Sequence, residues 1–80
     1  MTTDKNIKIN ARGLSNPGPR MMVESAISEG GFETMRVVVS SKDALKDLQS
    51  YFSSIGATFE ADQIGDDYHI FVDLTSQEKS

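Results

Sequence analysis

The residues whose types and spacing say most about chemistry in this sequence lie in one run, Arg12-Gly13-Leu14-Ser15-Asn16-Pro17-Gly18-Pro19, followed by Arg20. Asn16 reads as the N-cap of a helix and Pro17 as its first residue. An asparagine oxygen accepts a hydrogen bond from an orphan first-turn amide, and a proline at that first position loses nothing, because its amide had no partner there. Pro19 stays within the first turn. The helix end framed in this way is positively polarised and faces out of the loop. With Arg12 and Arg20 on either side, it suits an anion or an acidic segment of a partner. The plainer reading is that Asn16 caps its own helix, a contribution of about 1 kcal/mol. The two readings are compatible, since capping uses one amide and leaves others. Gly13 to Gly18 is not a phosphate-cradling P-loop, because it lacks a Gly-Lys-Ser/Thr ending.

The rest of the chain offers little chemistry. There is no cysteine, hence no disulfide, no thiol nucleophile and no thiolate metal site. Ser15 would need a positioned base, and the single histidine, His69, falls on a distant strand, where it reads as a strand residue. Asp62, Asp66 and Asp67 could attract a hard cation weakly, but an acidic solvated turn is the simpler reading. No metal and no cofactor are expected, since no ligand spacing is present. Met21 and Met22 read as packing residues, with Met21 on the exposed side of the helix start. The formal net charge of -4 is spread along the chain, which weighs against a nucleic-acid partner. No apolar run reaches membrane-spanning length, and the polar N-terminus is not that of a signal peptide. The expectation is a cytoplasmic protein with no membrane contact.

Elements must position the loop, and their order follows from periodicity. Asn6 to Ala11 alternate as a half-buried strand with Ile7, Ile9 and Ala11 on one face. Pro17 to about Glu29 reads as a helix with Met22, Val23, Ala26 and Ile27 inward and Gly30-Gly31 as its stop. Thr34 to Ser40 is a strand with Met35, Val37 and Val39 inward. Ser40 or Ser41 starts a second helix, and Ser40 with Asp43 has capping-box spacing. Its apolar stripe is Ala44, Leu45, Leu48, Tyr51, Phe52 and Ile55, and Gly56 closes it. Thr58 to Gln63 and Tyr68 to Leu74 are strands joined by the turn Gly65-Asp66-Asp67. The result is one α/β (α+β) domain over residues 1–80, with frayed tails at 1–5 and 75–80. It is a two-layer sandwich, β-α-β-α-β-β, in which a four-stranded mixed sheet carries both helices on one face. The uncovered face should carry Lys8, Arg36, Val38, Glu60, His69, Phe71 and Asp73. Phe71 and Val38 would form a modest apolar patch there, open to self-association.

The run Asn10-Ala11-Arg12-Gly13-Leu14-Ser15-Asn16-Pro17-Gly18-Pro19 resembles the (D/N)xRGLxCPxP motif of the TusA/SirA/YedF family of small sulfur-carrier proteins. The match lies at Arg12, Gly13, Leu14, Pro17 and Pro19, and the order of elements extends it over roughly residues 6 to 75. The resemblance implies the same two-layer sandwich. It also implies a place in the relay of sulfur from a cysteine desulfurase towards tRNA thiolation, selenium metabolism or sulfur oxidation. In that family the position of Asn16 is a cysteine that carries the persulfide, and an amide cannot replace a thiolate. No catalytic residue is therefore expected. The binding residues implied are Arg12, Gly13, Asn16, Pro17, Gly18, Pro19 and Arg20. The partner implied is a protein, a cysteine desulfurase or another sulfur-relay protein, met by a non-catalytic adaptor or regulator. Two other readings stand beside this one. One is an inactivated sulfur carrier. The other is a repurposed nucleic-acid or regulatory module, since the family's sandwich resembles the C-terminal domain of translation initiation factor 3.

Overall fold

The computed structural model describes residues 6–30 and 32–74. The expected frayed tails, and Gly31 of the first helix stop, lie outside the described residues. The elements run β1(Asn6–Asn10), α1(Gly18–Glu29), β2(Thr34–Val39), α2(Lys42–Ser54), β3(Thr58–Ile64) and β4(Asp67–Asp73). They build a four-stranded sheet in the order β1-β2-β4-β3. β1 and β2 are parallel and are joined across α1. β4 returns antiparallel between β2 and β3, so α2 carries the chain over a gap that β4 later fills.

Period-two alternation settles which side of each strand enters the core. Ile9, Met35, Val37, Val39, Ile70, Val72 and Leu74 are buried on the helix-bearing face. Against them α2 places Ala44, Leu48 and Phe52, one residue every four, which is a single stripe of a helix. The Phe52 ring sits 5.6 Å from that of Tyr51 and 5.9 Å from that of Phe59. α1 contributes less, with only Pro19 and Val23 buried. Met22, expected inward, is 40% exposed. The buried stripe of α1 is set by Pro19 and Val23, four residues apart, and Met22 falls at its margin.

The ends of α2 are well defined. Ser41, not Ser40, is its N-cap: the Ser41 Oγ accepts from the Ala44 amide at 3.1 Å. The expected box of Ser40 with Asp43 does not form, because the Ser40 hydroxyl accepts instead from the Gly13 amide at 2.9 Å. At the C-terminus Gly56 takes φ +77. Its amide reaches Ser53 C=O at 3.2 Å and the Ala57 amide reaches Phe52 C=O at 3.0 Å, the paired bonds of a Schellman ending. Removing the Ser41 cap orphans the Ala44 amide. Ser41→Ala is expected to cost about 1 kcal/mol and, in a domain of this size, to lower Tm by about 4–8 °C in a thermal melt.

Candidate functional site

The loop between β1 and α1 is held by its own backbone. The Ala11 amide continues the sheet by donating to Val38 C=O at 2.8 Å, and the Gly18 amide closes a turn on Ser15 C=O at 2.7 Å. The Asn16–Pro17 peptide bond is cis. Gly13 has φ +81, a region that side-chain-bearing residues avoid, and its amide is the one held by Ser40.

Asn16 does not cap α1. Pro17 occupies the cap position, Gly18 is the first helical residue, and no side chain caps this end. The reason is local. A capping side chain must reach the amide two or three residues on. For Asn16 these are Gly18, whose amide is spent on Ser15, and Pro19, which has none. The first intrahelical bond runs from the Met21 amide to Pro17 C=O at 2.9 Å. In the first turn, only the Arg20 amide is neither missing nor already bonded in this way, so the polarised end offers an anion one donor rather than a row.

The two flanking arginines are drawn apart. Arg12 folds onto the sheet: its Nη1 lies 3.1 Å from Asp67 Oδ2, and its Nε donates to Asn10 Oδ1 at 3.3 Å. Arg20 turns towards α2, with Nε 3.6 Å from Asp47 and 3.9 Å from Glu24. That Nε is buried without a hydrogen-bond partner. All three ion pairs are partly solvated and act more to position the side chains than to stabilise the fold. Near Arg20 and Glu24, partial burial pushes the Tyr51 hydroxyl above its usual range, with Glu24 adding to the rise and Arg20 opposing it.

The other residues of the run are divided between surface and core. Gly13, Asn16 and Pro17 are exposed, Gly18 is half-buried and Pro19 is fully buried. Pro19 is thus a core residue of the first turn and presents no surface to a partner. Three apolar side chains outside the set expected to bind are exposed in the same stretch of sequence: Leu14 at 43%, Met21 at 59% and Met22 at 40%. Leu14 lies over Gly18, where a side-chain carbon would come within 3.3 Å of it. The sequence signal for these residues was the pair of methionines beside two prolines, and helical periodicity placed only Met21 outside.

The helix-free face differs from expectation at its centre. Val38 is buried to 4% exposure, so it forms no patch with Phe71. It sits in the cross-strand row Asn10, Val38, His69, Asp62, while Lys8, Arg36, Phe71 and Glu60 form the next row. Arg12, reaching back from the loop, helps enclose it. Phe71 is covered in part by the Arg36 guanidinium, 4.9 Å from the ring centre, and by the His69 ring at 6.5 Å. Among the described residues no three acidic or imidazole groups converge to hold a metal ion. No helix among them is long and apolar enough to cross a membrane.

No family model matches the chain, and no curated protein sequence does so. Its structure is similar to the crystal structure of a SirA-like protein from Desulfitobacterium hafniense, with a TM-score of 0.76 over 84% of this chain and 95% of that one, at 21% identity. The sandwich is therefore the SirA-like fold.

Proposed function

We propose that this chain is a TusA/SirA-like protein that docks onto a sulfur-relay partner through the loop before α1 and carries no sulfur itself. The SirA-like fold and the motif-like run Arg12 to Pro19 support the relationship. The observation that carries the docking role is the exposure of three large apolar side chains, Leu14, Met21 and Met22, close in sequence to an exposed Asn16. Asn16 stands at the position that the resemblance gives to the sulfur-bearing cysteine. A carrier must present that position to its donor, and exposed apolar side chains near it are the kind of surface that binds by excluding water. Without a thiol, no persulfide can form there, so the role is that of a cytoplasmic adaptor or modulator. A cysteine desulfurase is the partner this reading names first.

The test is a calorimetric titration of a cysteine desulfurase from the same organism with the intact chain. The wild type is expected to bind, and Met21→Glu and Leu14→Asp are each expected to weaken binding at least about tenfold, the size of a modest interface anchor. Binding that neither substitution alters would contradict the assignment to this loop.

A further inference from the structure

On the helix-free face, over the row that holds Val38, lies a cavity of about 110 Å³ lined by Lys8, Asn10, Arg12, Val38, Asp67 and His69. The floor is apolar, since Val38 is 4% exposed, and the walls are rich in donors. The Lys8 ammonium is exposed, and among the described residues no carboxylate lies within ion-pair distance of it. Asn10 Oδ1 accepts from both the amide and the Nε of Arg12, which leaves the Asn10 NH2 group free to donate elsewhere. Arg12 spends Nη1 on Asp67 and Nε on Asn10, two of its five donors engaged. His69 lines the cavity, and its Nδ1 is buried without a hydrogen-bond partner; in the tautomer protonated there, it would donate to a ligand oxygen within reach. The single carboxylate, Asp67, is matched by Arg12, so Lys8 leaves the cavity with an excess positive charge.

We propose that this cavity binds a small tetrahedral oxyanion of the phosphate or sulfate class. The volume equals that of roughly three or four waters in the liquid, which is room for one such ion and not for a nucleotide. Charged donors in a partly enclosed site over an apolar floor favour an oxyanion far more than the same groups in open water. The site lies on the sheet face away from the helices and does not rest on the docking role of the loop before α1.

The experiment is an NMR titration of the intact, isotope-labelled chain with inorganic phosphate. Sulfate serves as a second probe, and chloride at matched ionic strength gives the background. Saturable shifts are expected at the His69 ring and the Val38 methyls, with phosphate and sulfate but not with chloride. Lys8→Met should weaken binding about fivefold. Asp67→Asn, which removes the only negative wall and releases Arg12, should tighten it. Lys46→Met removes the same charge from exposed α2 and should change nothing. The opposite signs of Lys8→Met and Asp67→Asn separate a specific site from general damage. Shifts that never saturate, shifts shared with chloride, or equal affinities in Lys8→Met and the wild type would overturn the proposal. So would shifts confined to the Arg20 amide at the start of α1.

Discussion

Asn16→Cys is expected to convert a chain that takes up no sulfur into one that is loaded when incubated with a cysteine desulfurase and free cysteine. The introduced thiolate would attack the outer sulfur of the desulfurase persulfide, the sulfur–sulfur bond would break, and the desulfurase thiolate would leave. The position is suited to this chemistry. It is exposed, it lies two residues before the first residue of α1, and a nearby helix N-terminus favours the thiolate. Leu14, Met21 and Met22, near it in sequence, are exposed apolar side chains. Intact-mass spectrometry should find the added mass of one sulfur, removable by a thiol reductant. The wild type, which has no cysteine, should show none. A folded Asn16→Cys chain that stays unloaded would mean that more than the thiol has been lost.

Phe52→Ala should have the largest effect on the fold. Phe52 is fully buried between α2 and the sheet, beside the rings of Tyr51 and Phe59. Truncating such a ring costs about 3–5 kcal/mol in lost transfer energy and cavity formation. A domain of 80 residues has a total stability of roughly 4–12 kcal/mol. The variant should therefore unfold at a much lower urea concentration, or be unfolded in buffer. Phe71→Ala, on the exposed face, serves as the comparison. A midpoint for Phe52→Ala no lower than that of Phe71→Ala would contradict the placement of the core.

The same residues show how far the sequence alone could be read. The alternation of Ile7 with Ile9, of Met35, Val37 and Val39, and of Ile70 with Val72 gave the strands and their inward faces. The stripe Ala44, Leu48, Phe52 gave α2. These patterns are short-range, and burial follows directly from them. Two of the points that differed depend on contacts between distant residues. Val38 belongs to the open face by periodicity, yet it is buried between its row neighbours Asn10 and His69, in the cavity that Arg12 also lines as it reaches Asp67, 55 positions away in sequence. Ser40 had the spacing of a cap, but Gly13 takes its hydroxyl from across the sheet. The start of α1 was partly readable, since Pro19 has no amide for Asn16 to cap. What could not be foreseen was that Ser15 would claim the amide of Gly18.

The arginines make the same point about the site. Arg12 and Arg20 flank the loop in sequence, and an anion held between them is a natural expectation. In the structure Arg12 joins the sheet face and Arg20 joins α2. The positive charge of Arg12 therefore serves a different surface from the one that carries Asn16. The loop itself presents mainly apolar and uncharged groups, which suits a protein partner better than an ion.

The most direct measurement is an amide-shift map of the isotope-labelled chain as unlabelled cysteine desulfurase is added. The account predicts shifts and broadening at Gly13 to Asn16, at Gly18 and from Arg20 to Met22, with Arg36 and Phe71 on the opposite sheet face unmoved. A footprint centred on Arg36 and Phe71, or no footprint at all, would contradict it.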